Sequence, residues 1–486
     1  MLHLKVKKGT LPFWFFTAGM LIILTLPTLI KDGMFMDAVL YTSVSHNLSE
    51  GIGTFWFPQF SYRNMSGLTS FHEQPPLGFG IQACFFKIFG DGMYTERLYT
   101  ALTLGIAALL IVLLWCEIYK GDRESRRNSW LPLILFIIIP QCFWNYSNNM
   151  LENTMVIFVL LSTLFSFKSL SGDRKNYIYL LLSGLFLFCA TLTKGLPGLF
   201  PVTFPLIYRL TVKNISWRKT LFSTLILLAV PALMYGALMF YPESKESLSI
   251  YVLKRVIGRI NTEPVVSNRL AIVGMLLVNL IPSFLLSFIL LYFSKFKGHL
   301  RKIPGFNLAL FFILAGLAGS LPMIATRIQR GFYLLPSFPF FAIGLSMAVC
   351  PAVNKYIANL LERKNGYTIG LTLGMITIAT ALIFTLSQIG KTGRNKDMLH
   401  DIYIIGKIVP KYSVISIPNN GDMWNEWDLQ CYLMRYFNIS IDPRDLHSFY
   451  LDNVKQHCPP PAHYKLTEHL LVYNLYTHES DGHAVN

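Results

Sequence analysis

Charged residues are scarce in this chain, so each one beside a long apolar run calls for a reason. Asp37 opens MDAVLYTSVSHNLSEGIG, with Tyr41 one helical turn later. His72 and Glu73 stand in FHEQPP, directly before Pro75 and Pro76. Glu152 follows WNYSNNM at the start of an apolar run, and Lys194 stands in TLTKGLPG between two such runs. Arg255 and Arg259 recur at i, i+4 in KRVIGRI; Arg327, Arg330 and Tyr333 fall in RIQRGFYLLPSFP. Carboxylates act as general bases or bind divalent metals. Lys and Arg bind phosphate, and Arg does so with two parallel hydrogen bonds. A site that holds a phosphate beside an acceptor hydroxyl needs such a mixture. The competing reading is a set of unrelated interface charges that snorkel or pair. Ionisable groups at membrane depth are costly, however, and point to function by default.

The elements that would carry these residues are membrane spans. Of 486 residues, 53% are hydrophobic and 14% charged, where soluble domains carry roughly a quarter charged. A spanning helix needs roughly 20 apolar residues, and apolar runs occur at 11–30, 98–116, 128–151, 153–167, 176–193, 195–208, 220–242, 270–294, 303–326, 331–354 and 365–390. Lipid offers no partner to a backbone N–H or C=O, so runs of this kind are helices. The first is longer than the apolar region of a signal peptide and no small-residue cleavage site follows it, so it is read as a retained span.

The net charge of +16 would suit a nucleic-acid binder, but its distribution argues for topology instead. Lys5, Lys7 and Lys8, then Lys120, Arg123, Arg126 and Arg127, then Arg174 and Lys175, then Arg209, Lys213, Arg218 and Lys219 fall on alternate connections. Lys295, Lys297, Arg301 and Lys302, then Lys355, Arg363 and Lys364 continue the alternation. The positive-inside rule makes these loops and the N-terminus cytoplasmic. Residues 75–90 are too short to span and carry Lys87, so they are read as an amphipathic helix lying at the outer interface. The expected fold is thus an all-α polytopic membrane protein of about eleven spans plus this helix, over 1–390, with the first outer loop at 31–97. A small extracytoplasmic α/β domain is expected over 391–486, from short apolar runs at 414–418 and 469–475 and a helical stretch at 426–437. Cys84, Cys116, Cys142, Cys189 and Cys350 read as small hydrophobes. Cys431 and Cys458 could pair if the tail is exported.

In their order along the chain, D-x-x-x-Y, H-E-x-P-P before an amphipathic helix, a carboxylate opening a span, T-K-G and Y-L-L-P-x-x-P resemble the polyprenyl-phosphate-sugar glycosyltransferases of the GT-C fold. The resemblance is to the bacterial branch that holds the aminoarabinose transferase of lipid A, and to protein O-mannosyltransferases. It implies an inverting transfer of a sugar from a polyprenyl-phosphate donor such as undecaprenyl phosphate to lipid A, a glycan or a protein hydroxyl. It also implies the outer face of the bacterial inner (plasma) membrane as the place. Asp37 would be the principal catalytic carboxylate, with Glu152 and Glu73 as further carboxylates. Lys194 and Arg259 would grip the donor phosphate, with Arg255 and Arg330 as further cations, and Tyr41, His72 and Tyr333 would contact substrate. Glu73 matches a metal ligand of that branch, so a divalent cation is a candidate cofactor. The sequence departs from the branch at Ala38 and Leu40, where it carries Glu and Arg, and in having no His between 243 and 269. The metal and the sugar therefore stay open.

Two other classes compete. A flippase or transporter of lipid-linked sugars predicts paired halves and broken helices at the midplane. A glycan polymerase or ligase would use a large arginine-rich outer loop. The charge pattern predicts that cysteines introduced into 391–486 react with an impermeant reagent in intact spheroplasts. Reaction only after lysis would reverse the topology.

Overall fold

A computed structural model of the chain describes residues 8–62, 70–172, 176–258, 265–293, 305–362, 365–456, 458 and 460–479. In chain order the helices are α1 (Leu11–Leu29), α2 (Met36–Ser49), α3 (Leu77–Phe89), α4 (Thr95–Ile118), the single turn α5 (Arg123–Arg126), α6 (Trp130–Ile137), α7 (Pro140–Tyr146), α8 (Leu151–Ser171), α9 (Tyr177–Lys194), α10 (Phe204–Thr211), α11 (Trp217–Leu238), α12 (Pro242–Tyr251), α13 (Ala271–Phe293), α14 (Phe306–Ser320), α15 (Phe338–Glu362), α16 (Gly366–Leu386), α17 (Lys396–Ile408) and α18 (Trp427–Phe437). The strands are β1 (Val414–Ser416), β2 (Ser440–Asp442), β3 (Phe449–Asn453), β4 (Tyr464–His469) and β5 (Tyr473–His478).

Among the described residues, nine helices are long and apolar enough to cross a membrane. They account for nine of the eleven apolar runs; the other two are broken rather than absent. Run 128–151 is split into α6 and α7 because a residue before proline avoids the helical region, and Ile139, before Pro140, is extended at φ −67, ψ 121. Run 195–208 starts at Gly195, with φ 81 and ψ −155, and passes through a 3-10 stretch, Leu196–Thr203, before α10. The topology cations Lys5, Lys7, Arg174, Lys175, Lys295, Lys297, Arg301, Lys302, Arg363 and Lys364 lie outside the described residues.

The chain divides into two compact units. The first comprises residues 1–30, 100–147 and 151–389. Its core is aromatic, with Trp115, Phe136, Phe204, Phe311, Phe312, Phe338 and Phe340 fully buried. Without a hydrophobic drive between helices in lipid, close approach needs small residues. Along the α1–α16 contact Gly374 meets Phe15 and Gly19 meets Thr377, each closer than a Cβ would allow. Opposite faces of α11, α13 and α16 expose Leu225, Phe284, Phe288, Leu373 and Ile383, which suits contact with lipid rather than water.

The second unit comprises residues 31–99, 148–150 and 390–486. It thus holds the segment 31–97 together with the tail from 390. Residues 77–89, in the run expected at the interface, are helical as α3. The tail forms a five-stranded sheet in the order β2-β1-β3-β5-β4. β1 runs parallel to β2 and β3, while β5 is antiparallel to β3 and β4. A parallel pair needs a crossover, and α18 supplies it between β1 and β2. The apolar run 469–475 is no single strand: it holds the β4–β5 turn, whose Leu471, Val472 and Tyr473 amides donate to the buried Asp401 carboxylate at 3.1, 2.6 and 3.1 Å. Cys431 and Cys458 are free thiols.

Loop and tail are joined by buried charge. Asp32 Oδ1 lies 3.3 Å from Arg97 Nη2. Glu96 meets Arg97 at 3.1 Å through Oε1 and Arg435 at 2.8 Å through Oε2. The Tyr436 and Tyr403 hydroxyls donate to Asp32 at 2.8 and 2.6 Å, and Arg97 donates twice to the Lys31 carbonyl at 3.1 and 3.0 Å. Two carboxylates and two guanidiniums cancel, which a network out of water requires. Removing one member of such a set strands its partner, at a cost of about 3–5 kcal/mol. Arg435→Met should therefore destabilise the second unit by about that amount, read as faster limited proteolysis of the tail in the folded, detergent-solubilised protein. Unchanged protection would show that the network contributes little.

Candidate active site

Antiparallel α8 and α9 put two sequence-distant charges at one end of a hairpin. Glu152 lies in the first turn of α8 and Lys194 is the last residue of α9. Each charge also opposes the helix dipole at its own terminus, which favours it there. Lys194 Nζ stands 3.1 Å from Glu152 Oε1, and the two side chains are 4% and 1% exposed. The glycine of T-K-G has a geometric reason. At φ +81 Gly195 turns the chain straight out of α9, and a Cβ there would overlap the Tyr251 hydroxyl. Thr191, one turn before Gly195, accepts from the Tyr235 hydroxyl of α11 at 3.0 Å, so the end of α9 is fastened on a second side.

A polar cluster lies around the start of α8. Asn153 Nδ2 donates to the Asn145 carbonyl at 3.0 Å, and Gln141 Nε2 donates to Asn145 Oδ1 at 2.8 Å. Asn279 of α13 accepts from the Gln141 amide at 2.9 Å. Trp144 stacks on Phe332 at 6.0 Å, and a Cβ at Gly331 would stand 2.5 Å from Gln141 Oε1. The motifs around 144 and 331 therefore meet. The loop before Gly331 is shaped by buried Gln329, which accepts from the Ile272 amide at 2.8 Å and donates to the carbonyls of Arg269, Met323 and Thr326 at 2.7, 3.1 and 2.8 Å. Arg327 and Arg330 on this loop are exposed and Tyr333 is half-buried. Arg255 falls in a π-helical stretch, Val252–Ile257, with its side chain outside the described set, and Arg259 lies outside the described residues. Gln141, Asn145 and Gln329 escaped the sequence reading; the signal was an amide at the edge of an apolar run, weaker than a charge.

In the second unit Asp37 is half-buried in the first turn of α2. The approach to it is fixed by two contacts. The Phe35 amide donates to Asn148 Oδ1 at 2.9 Å, and the Tyr432 hydroxyl accepts from the Met34 amide at 3.0 Å. Asn149 donates to Thr42 at 2.7 Å, so the N-N of WNYSNNM serves α2. Tyr41 is buried with its ring 6.0 Å from Phe79 of α3. His72 is buried against the Phe57 ring at 5.5 Å, its Nε2 2.6 Å from the Ser70 hydroxyl. Glu73 is half-buried just before the two prolines that lead into α3. Among the described residues no three His, Cys, Asp or Glu side chains come together with metal-ligand spacing.

Comparison with solved structures gives the fold. Over 95% of this chain and 97% of the other, the fold matches ArnT from Cupriavidus metallidurans bound to undecaprenyl phosphate, at a TM-score of 0.65 and 13% identity. The apo state of the same protein matches at 0.64 and 12% identity, over 95% and 96%. The apo oligosaccharyltransferase of Archaeoglobus fulgidus matches at 0.53 and 13% identity, over 89% of this chain and 64% of that one. The chain thus has the GT-C fold of membrane glycosyltransferases. Residues 73–242 also match the family model of dolichyl-phosphate-mannose-protein mannosyltransferases. A comparison with curated proteins gave no match.

The buried pair makes a stability prediction. Glu152→Gln leaves the Lys194 ammonium without its anion and should cost about 3–5 kcal/mol, whereas Glu152→Gln with Lys194→Met removes both charges and should recover most of it. Thermal unfolding of the three proteins in one detergent checks this. A double variant no more stable than the single one would refute the pairing as the cause.

Proposed function

We propose that the protein transfers a sugar from a polyprenyl-phosphate donor to an acceptor hydroxyl on the extracytoplasmic side of the bacterial inner membrane, with inversion. The observation that carries the reading is the lysine held at the end of an apolar helix hairpin by a carboxylate. A buried cation costs several kcal/mol, and a lipid phosphate is an anion that reaches such a depth. The undecaprenyl phosphate bound by the fold relative ArnT supports the same donor class, and the positive-inside count supports the orientation.

The chemistry divides between named groups. Asp37 takes the proton of the acceptor hydroxyl. The acceptor oxygen bonds to the anomeric carbon as the carbon–oxygen bond to phosphate breaks, and the phosphate leaves with the electron pair. Lys194 offers the departing phosphate its ammonium, and Glu152 holds that ammonium in place between turnovers. Arg259, Arg255 and Arg330 add positive charge for the donor. Tyr41, His72 and Tyr333 position substrate. The leaving group is already good, so positioning and one base supply most of what is needed. A flippase for the same lipids retains one observation in its favour, the two broken apolar runs, which it predicts.

Asp37→Asn keeps the shape of the side chain while removing the base, and should lower turnover by about 10²–10⁴-fold. Lys194→Ala should weaken donor use by about ten- to a hundredfold, the equivalent of roughly 1.5–3 kcal/mol for a charge-assisted hydrogen bond. Initial rates of sugar transfer in proteoliposomes measure both. Near-normal turnover in Asp37→Asn, or a product of retained configuration, would exclude this mechanism.

A further inference from the structure

The tail has so far no chemical task, although it contributes a whole helix to the surroundings of the candidate base. Helices α2 and α18 pack against each other. Their pairing is fixed by Tyr432, whose hydroxyl accepts from the Met34 amide at 3.0 Å and donates to the Met34 carbonyl at 3.2 Å. Met34 lies three residues before Asp37, and Asp428 lies one turn before Tyr432. Each aspartate therefore occupies the first turn of its own helix, at the place where the two helices are tied.

We infer that Asp428 is a positioning residue for the Asp37 carboxylate, its negative charge making Asp37 a stronger base toward the acceptor hydroxyl. The inference rests on the role given to Asp37 above. Asp428 is itself tightly held. Its Oδ2 accepts from Asn395 Nδ2 at 2.9 Å, while its Oδ1 is buried and meets no hydrogen-bond donor among the described residues. A carboxylate oxygen shielded from water with no donor keeps its charge poorly screened, and a like charge beside a base favours the base's protonated form.

Among the described residues several titratable groups sense this charge, including the phenols of Tyr432 on α18 and Tyr473 on β5, both raised first by burial and then in part by the charge of Asp428. From α18 come Asp428 and the buried thiol of Cys431, whose pKa is pushed well above the ordinary by burial and then by the charges of Asp428 and Asp37. From the segment before α17 come Asn395 and Arg394, the latter exposed and 5.6 Å over the Phe35 ring. From α3 the contact to α2 is Phe79 against Tyr41, and Asn149 meets Thr42. Burial raises the Asp428 carboxyl above its usual range; the Asn395 bond and the Arg394 charge oppose this, and the Asp37 charge adds to it. Two carboxylates that sense each other titrate as a pair, so what Asp37 does to Asp428 is returned.

Two readouts test this, one independent of catalysis. Infrared titration of the Asp37 carboxyl, identified by the band that Asp37→Asn removes, is followed in the wild-type protein and in Asp428→Asn. The midpoint should fall by about one pH unit in Asp428→Asn, and Asp428→Glu should restore it. The acid limb of the pH profile of kcat/KM should move with it. An unmoved midpoint, even with a uniform loss of activity, would overturn the inference and leave Asp428 a structural residue. A moved midpoint in a protein that transfers no sugar would uphold the coupling and refute the transferase reading instead.

Discussion

A charge removed from water must find another charge. In this chain that requirement decides where the informative residues can be. Lys194 at the end of α9 is buried in an apolar hairpin with Glu152 3.1 Å away. Asp32, Glu96, Arg97 and Arg435 are each buried and sum to neutrality. Replacing such groups with apolar residues of similar volume is often neutral or stabilising. Stability alone therefore does not account for their presence. For the Glu152–Lys194 pair, the work we propose is holding a cation ready for an anionic lipid.

Local backbone chemistry serves the same end. Gly195 allows a turn that no other residue would take at φ +81 against the Tyr251 hydroxyl, and so sets Lys194 as the final residue of its helix. Pro140 forces Ile139 out of the helix, which ends α6 and starts the short α7 that carries Gln141 and Asn145. Irregular backbone in a membrane protein is tolerated where side chains satisfy the freed groups. Asn279 Oδ1 does so for the backbone amide of Gln141, and the Gln329 side chain does so for the backbone carbonyls of Arg269, Met323 and Thr326.

Much of the architecture was legible because bilayer thickness is a length rule. Nine of the eleven runs became helical segments long enough to span, two of them with a 3-10 stretch at one end, and the run at 75–90 became α3. The two broken runs were harder: composition counts apolar residues but does not weigh one proline or one glycine within them. Glu152 and Lys194 were each singled out, yet their pairing depends on the α8–α9 hairpin and has no local signature. The network of Asp32, Glu96, Arg97 and Arg435 was missed. Glu96 and Arg97 looked like the ordinary charged start of a span, and Arg435 like the polar face of a tail helix. Asp428 was missed for the same reason. A carboxylate in the first turn of a helix needs no further explanation until the helix it packs against is known.

The phosphorus of the donor gives the most direct test of sugar transfer. A synthetic polyprenyl-phosphate sugar is placed in vesicles with the purified protein and an envelope extract as acceptor, and its phosphorus resonance is followed. Transfer predicts that the phosphodiester becomes polyprenyl phosphate, a monoester, in step with the appearance of glycosylated acceptor. A phosphodiester that stays intact while it exchanges between leaflets would contradict transfer and make the protein a carrier of lipid-linked sugars.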